Sequence, residues 1–448
     1  MTFPAYPVYK DSGVEWLGGV PEHWVEKPFF SLLSERNESN AGMKQNNLLS
    51  LSYGRIINKD INSLEGLLPA SFEIYQVVYP GDIVFRLTDL QNDKKSLRSA
   101  VVRTPGIITS AYLAVICRKI LPEFANHLFR AYDNIKVFYS MGGGLRQSMK
   151  YSDMKWLPIF LPNEREQAQI ARFLDHETVR VDALIEEQLR LIELLKEKRQ
   201  AVISHAVIKG LDPKAQMKDS GVEWLGEVPD SWVLPKLGHI ARVINGSTPS
   251  RDNTEYWTEG DIPWVASGAL NDYQISSASE FITRKALAEC SVEMIPQGAV
   301  LIGLVGQGKT RGLAALLNIE ATINQNVCAV IPDQRKVLPS FLHLYLHCLY
   351  EPLRDFGRGA NQAALNCELV SSLRIPLPSL EEQGQIVRHV EHSLIAFQTL
   401  EHHAQISIAL MQERRSALIS AAATGKIDVR GWQPPPSTPT PELVQEAM

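Results

Sequence analysis

The sequence lacks the features of a membrane protein or a disulfide-stabilised secreted protein. No uninterrupted apolar run approaches the ~20 residues of a membrane span, and no basic region followed by an apolar stretch opens the chain. Only five cysteines occur in 448 residues, and none form a C-x-x-C pair. An odd number of widely spaced cysteines favours buried thiols over a disulfide or zinc framework. We therefore expect a cytoplasmic protein.

An excess of charge of one sign is also lacking. The chain has 45 Lys and Arg against 50 Asp and Glu, a net charge of -5, which gives no general support for nucleic-acid binding. We find no Asn/Asp-Pro-Pro-aromatic tetrapeptide of an adenine methyltransferase and no acidic box of a helicase. We therefore expect no catalysis by this chain alone.

What the sequence does contain is an internal duplication. Residues 10–18 recur letter for letter at 218–226, and the helix-like segment 166–170 recurs with one change at 382–386. The offset is 208 residues for the first pair (218 minus 10) and 216 for the second (382 minus 166). Two equivalent halves therefore share a constant frame, and each carries an insert that differs in length and sequence.

Two long helices are predicted at matched positions. Asn163 and Glu164 open a stretch without Gly or Pro that continues to Gly210, and the equivalent stretch follows 216 residues later. Each helix is of order 44 residues, or about 66 Å at 1.5 Å per residue. We expect the two to pack as an antiparallel coiled coil. The predicted seam and partner positions are Val181, Leu184, Leu191, Leu195 and Val202 in the first helix, and Phe397, Leu400, Met411 and Leu418 in the second.

The two inserts predict a mixed α/β fold. Short runs rich in β-branched residues, such as 83–85 and 299–302, are interrupted by Gly, Pro, Asn and Asp. The ordered set of motifs resembles the DNA-specificity subunit of type I restriction-modification systems over nearly the whole chain. The motifs are the Gly-Val-Glu-Trp-Leu-Gly entry to each insert, the Leu-Pro…Glu-Gln…Gln-Ile start of each helix, Gly246-Ser247-Thr248-Pro249 and the closing segment 424–430.

The resemblance implies two target-recognition domains, each reading one half of a split, asymmetric site in double-stranded DNA. It also implies two methyltransferase subunits docked on the helices, restriction and translocase subunits in the full complex, and S-adenosylmethionine, ATP and Mg²⁺ on those partners. The expected boundaries are 1–155 for the first recognition domain, 156–215 for the first helical region, 216–371 for the second recognition domain, 372–432 for the second helical region and 433–448 for a Pro-rich disordered tail.

Candidate DNA contacts are the polar, basic and glycine-rich loop residues of each insert. In the first insert these are Arg86, Thr88, Gln91, Asn92, Lys94, Lys95, Arg98, Gly143, Gly144, Arg146, Gln147 and Ser148. In the second they are Ser247, Thr248, Arg251, Gln307, Lys309, Arg311, Arg358, Asn361 and Gln362. Residues 20–155 have 17 basic and 13 acidic residues (17 minus 13, +4), whereas 228–371 have 11 and 14 (11 minus 14, -3). An acidic insert binds DNA phosphate poorly. The resemblance implies that the methyltransferase subunits supply much of the binding to phosphate.

Two patterns suggest other functions. Residues 303–310 fit the P-loop pattern of an NTPase, but Arg311-Gly312 follows where the phosphate-binding helix should begin. The second helix has four histidines, His389, His392, His402 and His403, and the matched positions of the first helix are Phe173, His176, Glu186 and Glu187. Because only one of the four histidines is repeated, a metal site is disfavoured. A P-loop NTPase with a coiled-coil stalk and a protein-binding assembly scaffold remain the alternative interpretations.

Overall fold

A computed structural model describes residues 3–61, 71–88, 90, 97–141, 148–305, 309–355 and 365–435 of the chain. Residues 436–448 of the expected disordered tail lie outside this set. The chain divides into two compact units, Met1–Leu189 with Gln405–Met448, and Arg190–Ala404. Both units mix helices and strands, as predicted. No described helix is both long and apolar enough to cross a membrane.

The first unit combines one insert with the start of one long helix and the end of the other. Its elements are β1 (Tyr9–Asp11), β2 (Gly19–Pro21), β3 (Val25–Pro28), α1 (Phe29–Leu32), β4 (Leu33–Glu35), β5 (Leu48–Ser52), β6 (Arg55–Lys59), β7 (Gln76–Val78), β8 (Ile83–Phe85), β9 (Ser99–Val101), β10 (Gly106–Ile108), β11 (Leu113–Cys117), α2 (Pro122–Asn134), α3 (Val137–Met141), α4 (Tyr151–Met154), β12 (Pro158–Leu161) and the first part of α5 (Glu164–Lys209).

Two four-stranded sheets form the body of this unit, in the orders β6-β5-β10-β7 and β4-β11-β8-β9. Only β5 and β10 pair in parallel; the other described pairs in these sheets are antiparallel. Helix α2 begins with Pro122, whose missing N–H costs nothing at a helix start. Its apolar face packs against the second sheet in one core with Trp24 and the start of α5.

The second unit has a related but rearranged sheet. Its elements are β13 (Met217–Asp219), β14 (Glu227–Pro229), β15 (Ala241–Asn245), β16 (Ile262–Val265), β17 (Gln274–Ile275), β18 (Glu280–Ile282), α6 (Arg284–Glu289), β19 (Val300–Gly303), β20 (Ala314–Leu317), β21 (Thr322–Ile323), β22 (Val327–Pro332), α7 (Pro339–Cys348), α8 (Tyr350–Asp355), α9 (Cys367–Ser372) and the first part of α10 (Leu380–Ala423).

The second unit contains a five-stranded sheet in the order β15-β22-β19-β20-β17 and a three-stranded sheet in the order β18-β16-β21. The order β15-β22-β19-β20 repeats the order β4-β11-β8-β9 of the first unit, and α7 takes the place of α2. The three-stranded sheet β18-β16-β21 likewise repeats the order β6-β5-β10 of the first unit, with an antiparallel pair followed by a parallel pair in both. The two inserts therefore share one folding plan, although their sequences differ.

The two long helices are antiparallel within each unit. In the first unit, Phe173 near the start of α5 shares a core with Ile419 near the end of α10. In the second unit, Ile203 near the end of α5 shares a core with Ile386 near the start of α10. Helix α5 has 46 residues and α10 has 44, so the predicted length and pairing are confirmed.

Three of the five predicted seam positions of α5 are buried or half-buried, and two are exposed. Leu184 and Leu191 are exposed, at 43% and 40% of their surface. Their neighbours Ile185 and Ile192 face inward instead, and Ile192 is only 7% exposed. Seam positions of a coiled coil are separated alternately by three and four residues, and in α5 the order of these two spacings is the reverse of the predicted one. The predicted positions that are buried or half-buried are Val181, Leu195 and Val202.

The same reversal occurs in α10. Leu400 is 50% exposed, and the adjacent Glu401 is half-buried in its place. Because leucine and isoleucine stand side by side in α5, hydrophobicity alone fits both orders of steps equally well there. The predicted positions of α10 that are half-buried are Phe397, Met411 and Leu418.

The repeated tryptophan explains the repeated frame. Trp24 and Trp232 are each 1% exposed. Each indole N–H donates to a glutamate in the first turn of a long helix, Trp24 to Glu166 and Trp232 to Glu382, with 3.1 Å between Nε1 and Oε1 in both cases. A buried indole N–H needs such an acceptor. The tryptophan and glutamate motifs are thus two sides of one hydrogen bond.

The neighbouring glutamine performs a second repeated task. The Oε1 atom of Gln167 accepts from the backbone N–H of Leu121 at 3.0 Å, just before α2. The Oε1 atom of Gln383 accepts from Leu338 at 2.8 Å, just before α7. Both Nε2 atoms donate back to a proline carbonyl five residues earlier. Each insert helix is therefore tied to the start of a long helix by the same side chain.

Candidate nucleic-acid interface

In the first unit the structure brings the two candidate segments together. The backbone N–H of Arg86 donates to the carbonyl of Arg98 at 2.9 Å, which extends the β8–β9 ladder into the first segment. The N–H of Met149 donates to the carbonyl of Leu87 at 2.9 Å, which places the second segment beside it. Arg86 and Thr88 are half-buried, and Ser148 is exposed.

Most of the remaining candidates of this unit lie outside the described residues. They are Gln91, Asn92, Lys94, Lys95, Gly143, Gly144, Arg146 and Gln147. The described ends of both segments nevertheless meet, because Leu87 and Met149 are hydrogen-bonded neighbours. The two candidate segments of the first unit therefore adjoin at their described ends.

The structure contradicts the assignment of Arg98 as a DNA contact. Its side chain is 0% exposed, and its guanidinium donates to the carbonyl of Thr88 at 2.8 Å. Its backbone N–H donates to the carboxylate of Asp133 at 2.9 Å. Burial raises the pKa of that carboxyl group, while the nearby cations and the Arg98 N–H oppose the rise. Arg98 therefore stabilises the base of the loop from inside.

In the second unit, Ser247 and Thr248 lie in the connection between β15 and β16. The N–H of Ser247 donates to the carbonyl of Ile323 at 2.9 Å, and the hydroxyl of Thr248 donates to Gln325. A Cβ on Gly246 would lie 2.2 Å from the carbonyl oxygen of Asn324, so only glycine permits this close approach. Both hydroxyl-bearing residues are half-buried.

Arg251 is held by aromatic rings and a carboxylate. Its guanidinium carbon lies 3.7 Å from the ring centre of Trp257 and 4.8 Å from that of Trp264. Its Nη1 atom lies 2.6 Å from the carboxylate of Glu280. The side chain is still 52% exposed, so it offers an oriented guanidinium at the surface. A DNA contact by Arg251 would have to share or replace the contact with Glu280.

The P-loop interpretation fails on local structure. Residues 303–310 begin in β19 and lead into the antiparallel β20, with the N–H of Gly312 donating back to the carbonyl of Gly303 at 2.9 Å. Residues 309–313 form no helix, so the chain has no helix N-terminus there to bind phosphate. Lys309 is exposed, and Arg311 is half-buried. Gln307, Arg358, Asn361 and Gln362 lie outside the described residues.

Matched apolar residues lie on the outer faces of the long helices; Leu184 and Leu400 are among the predicted seam and partner positions, whereas the other members were not predicted from the sequence. At positions 216 residues apart, both partners are large, apolar and exposed. Single exposed apolar residues are ordinary, but repetition of the same exposure in both halves is not expected by chance. The pairs are Val179 (69%) with Ile395 (63%), Leu184 (43%) with Leu400 (50%), and Leu194 (51%) with Leu410 (59%).

Comparison with known proteins agrees with the duplicated architecture. The family model of the type I restriction modification DNA specificity domain matches residues 229–409. The specificity subunit of the type I restriction enzyme EcoR124I/EcoR124II of Escherichia coli is 27% identical over 256 residues, 56% of this chain and 58% of that protein. The match thus spans less than two thirds of that relative.

A second relative extends the match to both halves. The putative type I restriction enzyme MjaX specificity subunit of Methanocaldococcus jannaschii is 23% identical over 434 residues, 92% of this chain and 96% of that protein. A solved chain from work on complex assembly and conformational transition of the type I R-M system has the same fold, with a TM-score of 0.68, 18% identity, and coverage of 91% of this chain and 99% of that one. The chain is therefore similar to the specificity subunits of type I restriction-modification systems, and the similarity extends over nearly its whole length.

Proposed function

We propose that this chain recognises a bipartite, asymmetric sequence in double-stranded DNA for a type I restriction-modification complex, without catalysis of its own. Each unit would read one half-site with its insert. The helix pair would set the spacer between half-sites and hold two methyltransferase subunits, with restriction and translocase subunits added in the full complex. S-adenosylmethionine, ATP and Mg²⁺ would be bound by those partners in the cytoplasm.

The observation that carries this proposal is the equivalence of the frame around non-equivalent inserts. Trp24 and Trp232 make the same hydrogen bond, and so do Gln167 and Gln383. The chain thus presents two mounts of one design, each carrying a different loop surface. Such a design suits a target with two dissimilar halves, because base-edge contacts depend on the loop residues alone.

The described candidates of each unit differ in chemistry, as two different half-sites require. The first unit offers Arg86, Thr88 and Ser148 beside a basic insert, whereas the second offers Arg251 and Lys309 within an acidic one. Phosphate neutralisation supplies much of the affinity of DNA-binding proteins. We therefore expect the second unit to depend more strongly on its partners for phosphate contacts.

The matched apolar positions support the docking of two copies of one partner. A pseudo-repeated surface accepts identical proteins at both of its copies, since each copy meets the same pattern of contacts. Exposed leucine, isoleucine and valine on a helix face are typical of protein interfaces. The pairs Val179 with Ile395 and Leu184 with Leu400 provide this pattern on α5 and α10.

The spacer role predicts an effect of helix length. Insertion of one helical turn between Val181 and Leu195, with a matching insertion in α10, would lengthen the preferred spacer between half-sites, because half-sites must follow the separation of their readers. A binding-site selection with random spacers measures this preference. An unchanged spacer would refute the ruler role.

Mapping of methylated adenines in a host genome, with and without this chain beside its methyltransferase, tests the whole proposal. We expect a single asymmetric motif of two half-sites that disappears when the chain is removed. The scaffold alternative predicts methylation whose sequence motif is independent of this chain. The NTPase alternative predicts that Lys309→Ala abolishes ATP hydrolysis by the purified chain.

A further inference from the structure

Two clefts occupy matched places at the starts of α5 and α10. The cleft at α5 has a volume of about 540 Å³, and the one at α10 about 460 Å³. Their linings have opposite charge. The first is lined by His23, Asn163, Arg165, Glu166, Ala168, Gln169, Arg172 and Arg430. The second is lined by Leu211, Asp212, Ser379, Glu381, Glu382 and Gln385.

The positive charge of the first cleft is available to a ligand. Arg165 and Arg172 are exposed, and no carboxylate of the described chain forms an ion pair with either. Arg172 only donates to the side-chain oxygen of Gln169. The third arginine, Arg430, is already paired with Asp428 at 2.6 Å. Two unpaired guanidinium groups therefore dominate this cleft.

The second cleft reverses the charge at one matched position. Position 165 plus 216 is Glu381, so an arginine of one half is a glutamate in the other. Asp212 and Glu382 add to the negative charge there, and the lining contains no Lys or Arg. Arg388, the counterpart of Arg172, is exposed but does not line the second cleft. The charge difference is thus built into otherwise equivalent elements.

The basic cleft continues into an apolar helix face. Arg165, Arg172 and Val179 are spaced seven residues apart on α5, so they follow one side of the helix. Val179 is 69% exposed. A charged cleft adjoining an exposed apolar residue is typical of a protein interface with a polar rim.

We propose that the basic cleft at the start of α5 binds a carboxylate-rich segment of the partner subunit that docks on this helix. This inference rests on the proposed function and adds the chemistry of the contact. The second copy of the same partner meets Glu381 at the matched place, so its acidic segment is repelled there. The two partner copies are therefore held with unequal affinity, tighter at the first unit.

Reciprocal charge substitutions test this asymmetry. The full-length chain is titrated with its purified methyltransferase partner, and native mass spectrometry counts the copies bound at each concentration. Arg165→Glu should weaken the tighter of the two binding events about tenfold, whereas Glu381→Arg should strengthen the weaker one to a similar degree. Arg165→Lys should retain the tight event, and the difference between events should shrink with added salt.

The outcomes separate this inference from the proposed function. If two copies bind and neither substitution changes either affinity, the cleft proposal is wrong while the scaffold role stands. If Arg165→Glu weakens DNA binding and leaves partner binding intact, the occupant is DNA phosphate and the proposal is overturned. If no partner binds the unaltered chain, the proposed function itself fails.

Discussion

Trp24 in the first half and Trp232 in the second make the same hydrogen bond, yet their glutamate acceptors have different surroundings. Glu166 is 4% exposed and also contacts the Tyr6 hydroxyl at 2.7 Å and His23 Nε2 at 2.8 Å. Glu382 is half-buried, and Trp232 is its described side-chain partner. The hydrogen bond between tryptophan and glutamate is therefore repeated in both halves, whereas the other described contacts of the glutamate side chain are not.

The junctions between insert and helices differ in the same way. In the first unit, Asp182 of α5 lies 2.8 Å from Arg55 of β6 and 2.9 Å from Arg415 of α10. The matched position in α10 is Gln398, which carries no charge. The first insert is thus fixed partly by ion pairs, which weaken in salt, and the second must rely on other contacts. The stability of the two halves should therefore respond differently to salt concentration.

The largest expected difference concerns the two frame glutamates. Glu166→Ala should lower the free energy of unfolding of its unit by about 4 kcal/mol, because it leaves the buried Trp24 N–H and Tyr6 hydroxyl without their acceptor. Glu382→Ala should cost about 1 kcal/mol, the value of one hydrogen bond at a half-buried site. Urea unfolding of both variants measures the two changes in the free energy of unfolding. Equal costs would show that the halves are equally dependent on this contact.

The next effect is a pH dependence in the second unit. Burial lowers the pKa of His343 to about 4, with a further contribution from His347, below the usual 6.5. The unfolded chain takes up this proton near pH 6.5 and the folded chain only near 4, so stability is complete above 6.5 and falls toward pH 4. The loss reaches about 3 kcal/mol.

Thermal unfolding between pH 7 and 4 measures this loss. His343→Asn provides the matched control, since Asn126 occupies the equivalent place in α2. The substitution should remove most of the slope. A slope that persists in this variant would assign the acid sensitivity to other groups.

A smaller effect distinguishes the seam of α5 from its outer face. Ile192→Ala should cost about 2 kcal/mol, because Ile192 is only 7% exposed. Leu184→Ala should change stability by less than about 0.5 kcal/mol but weaken partner binding, because Leu184 is 43% exposed. Thermal unfolding and a partner titration measure the two effects. A large loss of stability on Leu184→Ala would instead support the predicted seam, in which Leu184 packs against α10.

The smallest expected effect is that of Lys309→Ala. Lys309 is exposed on the connection between β19 and β20, so its removal should leave stability within about 0.5 kcal/mol of the original. Nucleotide binding, measured by calorimetry with ATP, should be absent before and after the change. ATP binding that depends on Lys309 would reopen the NTPase interpretation.

Sequence reasoning succeeded where one pattern had one physical meaning. The long stretch without Gly or Pro from Glu164 to Gly210 predicted a helix, and α5 spans Glu164–Lys209. It failed where two neighbours were chemically alike. Leu184 and Ile185 both suit a seam, and only packing selects between them. The repeat identified the frame residues Glu166 and Gln167 but not their hydrogen-bond partners.

Charge and polarity were equally ambiguous at the candidate interface. Arg98 has the chemistry of a DNA contact, but the fold buries its side chain, and its guanidinium donates to the carbonyl of Thr88. Arg165 belongs to a repeated helix start, and nothing in its local sequence indicates a cleft. Burial and cavities depend on segments distant in the chain, so these residues required the structure.

The central claim is that each insert reads its own half-site on an interchangeable frame. The most direct measurement replaces residues 20–155 with the first insert of a relative that has a different target, and maps methylated adenines in the host genome. The account predicts that one half-site changes while the other half-site and the spacer are retained. A change in both half-sites, or in neither, would contradict it.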